Sequence, residues 1–148
     1  MKSNKGITLT SLVIYIIAMT IIMGVISSIT IYFYKNTNSI QSTTDNSSRL
    51  TRFNEYFTKD IKEKGVKANI ESENKKIILT KANGEEIKYT IAGDGIYRNK
   101  VKICSNIIQE NTTFTKEEIY DKTKITVQIK IGETETIEKT LEYTIQNW

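Results

Sequence analysis

From Ile7 to Tyr34 the chain carries no charged residue, and apolar side chains fill most of those 28 positions without a polar face or a strand-like alternation. As a helix this run would extend roughly 42 Å at about 1.5 Å per residue, more than a hydrocarbon core of about 30 Å. After Lys35 the stretch NTNSIQSTTDNSSRL is rich in Ser, Thr and Asn. The helix is still expected to continue, because Leu50, Phe53, Phe57 and Ile61 recur at spacings of three and four and form one apolar stripe. Such a stripe needs a surface to cover. Gly65, following Lys62 and Lys64, is the expected helix stop.

Beyond Gly65 the period drops to two. Ile87, Tyr89 and Ile91 alternate with Lys88 and Thr90; Ile125, Val127, Ile129 and Ile131 with Thr126, Gln128 and Lys130; Leu141, Tyr143 and Ile145 with Glu142 and Thr144. These are half-buried antiparallel strands. Val66 to Ser72 and Lys76 to Lys81 are shorter ones, turning at Glu73-Asn74-Lys75, and Asn83-Gly84 and Gly93-Asp94-Gly95 supply further hairpin turns. Asn106 to Lys122 has a weaker pattern. Within it, Thr113 to Tyr120 reads as a loop with a helical turn, Thr115 and Glu118 standing at capping-box spacing. The predicted fold class is α+β: a long N-terminal helix packed on one C-terminal antiparallel sheet of five to seven strands. Tyr89 and Tyr143 fall on the apolar phase of their strands, whereas Tyr97 and Tyr120 are open between core and binding surface.

Composition narrows the function classes. The net charge of +4 includes Lys2 and Lys5, leaving +2 for the rest, and Lys59, Asp60, Lys62, Glu63 and Lys64 intermix as on a solvated helix surface rather than a nucleic-acid patch. Nothing in the chain demands DNA or a secreted substrate as a partner. With no His and one Cys, the usual transition-metal ligand sets are missing, so neither metal nor cofactor is expected, and no intramolecular disulfide can form. Cys104 lies on the opposite strand face from Val101 and Ile103 and reads as a small strand residue. Glu85-Glu86, Glu117-Glu118 and Glu133 with Glu135 read as solvated surface, and Gly93-Asp94-Gly95 is too short for a phosphate loop. No nucleophile–base pair can be named, and no enzyme is expected.

The start of the apolar run has a pattern of its own. Lys2, Lys5 and the leader amine precede it, which places the N-terminus in the cytoplasm and the body outside, with Tyr32, Tyr34 and Lys35 suited to the outer interface. Lys5-Gly6 followed by Ile7-Thr8-Leu9-Thr10-Ser11-Leu12-Val13 resembles the class III signal of type IV pilins and type II secretion pseudopilins. The resemblance covers about thirty residues. It implies a leader at 1–6, a transmembrane or fibre-core helix at 7–34, an amphipathic continuation at 35–65 and an extracellular sheet domain at 66–148. A membrane peptidase would cut after Gly6 and methylate the new N-terminus, Ile7. The implied partners are that prepilin peptidase, membrane lipid before assembly, and other pilins through the N-terminal helix in a surface fibre. Major pilins carry Glu as the fifth mature residue, where it can neutralise a buried terminal amine of a neighbour. Here that residue is Ser11. The departure points to a minor pilin or pseudopilin. The alternative is a single-pass extracellular binding module on an uncleaved anchor.

Overall fold

The computed structural model describes residues 8–133 and 136–146. The chain forms two compact units that divide between Ile40 and Gln41, and one helix, α1 (Leu9–Ile61), runs through both. In the first unit the apolar side chains of the helix from Leu12 to Tyr34 are all exposed. The second unit holds the last turns of α1 and every strand.

Among the described residues, eight strands follow α1 in two antiparallel sheets. The first is a five-stranded meander: β1 (Lys67–Glu71), β2 (Lys76–Thr80), β3 (Glu86–Ala92), β4 (Gly95–Arg98) and β5 (Val101–Ser105). The second contains β6 (Thr113–Ile119), β7 (Lys122–Ile131) and β8 (Ile137–Gln146), in that order. The α+β class and the long apolar helix stand as expected; the single sheet of five to seven strands does not. Its failure traces to the segment between β5 and β6, where Asn106 takes a left-handed φ of 60° and a single 3-10 turn (Gln109–Asn111) follows. The backbone there stitches the sheets together instead of extending either. Ile107 N–H donates to the Asp94 carbonyl at 3.0 Å, Ile108 N–H to Lys130 at 2.8 Å, and Gly132 N–H to Asn106 at 2.8 Å.

Thr113 to Ile119 is a strand, which corrects the expected loop with a helical turn. It pairs with β7 from Thr113 opposite Gln128 to Ile119 opposite Lys122. Only Phe114 reaches the core and every residue from Thr115 to Ile119 is exposed, so the segment has no apolar alternation to read.

The β1–β2 turn holds three successive non-glycine residues at positive φ: Ser72 (56°), Glu73 (52°) and Asn74 (67°). Each such residue costs roughly 1–2 kcal/mol, and the conformation persists only where surrounding contacts over-determine it. Those contacts are present. The Asn74 carbonyl accepts from Phe114 N–H at 2.8 Å, and the Lys75 ammonium donates to the carbonyls of Gln109 at 2.6 Å and Thr112 at 2.7 Å. The strained turn thus fastens the first sheet to the start of the second. The helix ends at Ile61, before Gly65. Gly65 is required all the same: its φ is +73°, and a Cβ there would lie 3.1 Å from that of Ala82.

Leu50, Phe53, Phe57 and Ile61 are all buried, and the stripe is the spine of one core shared by both sheets. Phe57 is its centre. Its ring stacks on Phe53 (5.2 Å between centroids), meets Tyr89 of the first sheet edge-on at 4.9 Å, and touches Phe114 at 6.2 Å and Tyr143 at 4.8 Å in the second. Phe57→Ala removes all four ring contacts and is expected to cost about 3–5 kcal/mol. Exposed Lys59→Ala should stay within about 0.5 kcal/mol of the parent. Urea unfolding of the full chain in micelles measures both; equal costs would show that the stripe is not the spine.

Candidate functional site

The helix start is where the chain differs most from a plain anchor. Thr8 is its N-cap: the Thr8 carbonyl accepts the first helical bond from Leu12 N–H at 3.1 Å. The Thr8 hydroxyl accepts from Ser11 N–H at 3.4 Å, the N-cap half of a capping box, and lies 2.8 Å from the Ser11 hydroxyl, so the two hydroxyls bond to each other. Ser11 is therefore engaged within its own chain. Gly6 and Ile7, the residues of the expected cut, lie outside the described residues. Farther along, Thr20 donates to the carbonyl of Ile17, Ser27 to Met23, Ser28 to Gly24 and Thr30 to Ile26, at 2.8 to 2.9 Å. Each of these hydroxyls is satisfied by the helix backbone, so it carries no unmet donor into an apolar medium. By length and composition α1 is able to cross a membrane, and it is the one such helix among the described residues.

The second polar feature is a buried knot at the C-terminal end of α1. Asp60 is 2% exposed and accepts three bonds: from the Tyr89 hydroxyl at 2.5 Å, Arg98 Nε at 2.7 Å and Arg98 Nη2 at 3.0 Å. Tyr89 and Arg98 stand opposite each other on β3 and β4, which aims both at the same carboxylate. The Arg98 guanidinium also lies 5.8 Å from the centre of the Tyr56 ring, one helical turn before Asp60. A carboxylate at the negative end of a helix dipole is unfavourable, and burial would raise its pKa. The bonds from Arg98 and Tyr89 outweigh both and hold Asp60 below its ordinary 3.8. Burial and the neighbouring carboxylate push Tyr89 upward. The reading of Asp60 as part of a solvated helix surface is thus corrected. No known protein family, curated protein or solved structure matches the chain.

The knot was within reach of the sequence pattern. Asp60 falls three residues after Phe57 and Asn46 four before Leu50, so both belong to the stripe that buries Phe53 and Ile61. Treating the charge run as one solvated surface hid this. Tyr143 is half-buried and donates to Asn54 Oδ1 at 2.7 Å, while Tyr120, at a hairpin tip, is fully exposed with φ 48°. Cys104 is buried, and burial pushes its thiol up to about 11. A β-bulge opposite Ile96/Tyr97 leaves Ile103 as the extra residue, which is how adjacent Ile103 and Cys104 are both covered. Among the paired glutamates, Glu85 meets Lys81, Glu86 meets Lys88 and Glu118 meets Lys116 in surface ion pairs; Glu135 lies outside the described residues.

Because the folded Asp60 pKa is depressed, its contribution is complete above about pH 4 and is lost as pH falls through the lower folded value. Asp60→Asn is expected to destabilise by about 3 kcal/mol at neutral pH, by leaving the Arg98 charge and the buried Tyr89 hydroxyl poorly matched. It should also flatten the loss of stability on acidification. Urea titrations from pH 2 to 7 check this, and an unchanged acid slope in Asp60→Asn would assign the slope to other carboxylates.

Proposed function

We propose that this chain is a minor pilin or pseudopilin, a structural subunit of a type IV pilus or a related secretion or DNA-uptake fibre. Prepilin peptidase would process it after Gly6, and it would assemble through its N-terminal helix. The observation that carries this reading is a single helix whose apolar side chains from Leu12 to Tyr34 are all exposed and whose last turns are the spine of an antiparallel body. Apolar exposure on this scale calls for lipid or other apolar helices. In this reading the helix has lipid as its first environment and packed neighbouring subunits as its second, with the body outside the cell. The Thr8–Ser11 cap adds support, since a locally satisfied hydroxyl at the fifth mature position leaves no carboxylate for a neighbour's amine.

Mass spectrometry of the protein from its native membrane tests the reading. The expected species begins at N-methylated Ile7; an intact Met1 start in cells with active peptidase would overturn it and favour the uncleaved binding module. Ser11→Glu should preserve the helix start, because Glu at the third helical position also caps, and should raise incorporation into fibres. An unchanged copy number would mean that Ser11 does not limit assembly.

A further inference from the structure

β8 is the outer strand of the second sheet, and its register with β7 runs unbroken from Ile131 opposite Ile137 to Lys122 opposite Gln146. Which of its backbone groups are spent on β7 follows from Lys130. That residue turns both main-chain groups to the β6 side: its N–H donates to the Thr112 hydroxyl at 3.3 Å, and its carbonyl accepts from Ile108 N–H at 2.8 Å. Main-chain direction alternates along an antiparallel strand, so Ile131, Ile129 and Val127 turn to β8 and pair with Ile137, Lys139 and Leu141 opposite them. The N–H and carbonyl groups of Glu138, Thr140, Glu142 and Thr144 therefore point out of the sheet. Among the described residues no other strand or loop backbone bonds to them.

This free edge borders a cleft of about 240 Å³ beside α1. Ser47, Leu50 and Thr51 line it from the helix, and Ile137, Lys139 and Leu141 from β8. The three β8 residues stand opposite Ile131, Ile129 and Val127, which are buried in the core, so their side chains lie on the helix side of the sheet. Tyr143, on the same phase, shows that side directly by donating to Asn54 of the helix at 2.7 Å. The floor is aliphatic, with Leu50 buried and Ile137 and Leu141 half-buried. Lys139 is the one charged residue in the described lining. It is exposed and has no carboxylate within ion-pair distance among the described residues, whereas Glu142, on the opposite face, pairs with Lys124.

We propose that the β8 edge is a docking site for an extended peptide segment that adds as an antiparallel strand, with aliphatic side chains opposite Ile137 and Leu141 and a carboxylate opposite Lys139. A row of outward N–H and carbonyl groups is matched in full only by another extended backbone. Partner residues opposite Ile137, Lys139 and Leu141 form the closer, non-hydrogen-bonded pairs, and their side chains fall on the helix side, at the cleft. A lysine on the inward phase of an edge strand guards against indiscriminate pairing. This guard selects by sign, because a strand that brings a carboxylate satisfies it. The β8 strand of a second copy brings none: like faces meet in antiparallel self-pairing, and the helix-side phase holds Ile137, Lys139, Leu141, Tyr143 and Ile145 without an acid. The site rests on the fold of the body and not on fibre assembly.

The probe is the end-capped peptide Thr-Val-Thr-Glu-Thr-Val-Thr, added to the full-length 15N-labelled chain in detergent micelles. Amide hydrogen exchange at Thr140 and Glu142, open in the free chain, is expected to slow saturably by about tenfold or more, while Leu141, already bonded to β7, changes little. Lys139→Gln should weaken binding about threefold, as the loss of a cross-strand charge pair requires. Thr140→Pro removes one outward donor and no bond to β7, so it should keep the fold and bind about tenfold more weakly or worse. A peptide N-methylated at its Thr residues, whose N–H groups face β8, should not bind, whereas one N-methylated at Val and Glu should. The proposal is overturned by the absence of saturable protection, by equal binding of the two N-methylated peptides, or by full affinity in folded Thr140→Pro. Protection of the same amides that rises with protein concentration in the absence of peptide would give the edge to a second copy and overturn it too.

Discussion

One aromatic side chain, Phe57, decides whether the body is one core or two. The five-stranded and three-stranded sheets share no ladder, and the bonds between them run through a single irregular segment and one strained turn. Backbone stitching of this kind fixes position but buries little apolar surface. The helix supplies what is missing, because Phe57 meets Tyr89 on one side and Phe114 and Tyr143 on the other, with Phe53 stacked behind it. An edge-on ring contact adds geometry to burial, about 0.5–1.5 kcal/mol each beyond area. The orientation of the helix on the two sheets is therefore set by rings as well as by volume.

Polar groups on the same stripe refine that orientation. A purely apolar stripe tolerates sliding and rotation, because one aliphatic contact replaces another at small cost. Asp60 does not tolerate it: a carboxylate accepting two bonds from one guanidinium and a third from a phenol fits a single placement of the last helical turn. The cost of burying the charge is offset only in that placement. Asn46, near the other end of the stripe, is a different case, since half of its hydrogen-bonding capacity is wasted and the other half goes to Arg49. One buried polar group locks the fold, and the other holds a single arginine.

Much of this was legible from spacing. The apolar run, the helix stripe and the long alternating strands β3, β7 and β8 follow from periods of about four and two, because each of those elements buries one face. What escaped the period is what lies at an edge. β6 buries only Phe114, so its sequence has nothing to alternate, and Thr115 with Glu118 gave a local helical signal that pairing with β7 overrides. Cys104 could not be placed because a bulge breaks the register next to it. Asp60 was misjudged for the opposite reason. Its position on the stripe was plain, but a charge among charges was weighed by composition and not by phase.

The apolar stretch of α1 carries the functional proposal through what it lacks. Its hydroxyls at Thr20, Ser27, Ser28 and Thr30 bond to its own backbone, and Ser11 is engaged by Thr8, so none of them needs a partner from outside. A helix of this kind is at home in lipid and equally among other apolar helices, since both offer dispersion contacts and neither has to supply a donor. A carboxylate at the position of Ser11 would break that symmetry. In lipid it would be an unpaired charge, and among subunits it would be paired only where a neighbour's amine came to it. Such a subunit gains most from a long regular array that repeats the pairing, whereas one with Ser11 gains nothing further from repetition. The proposed low copy number of this chain follows from that difference in polar demand at one position.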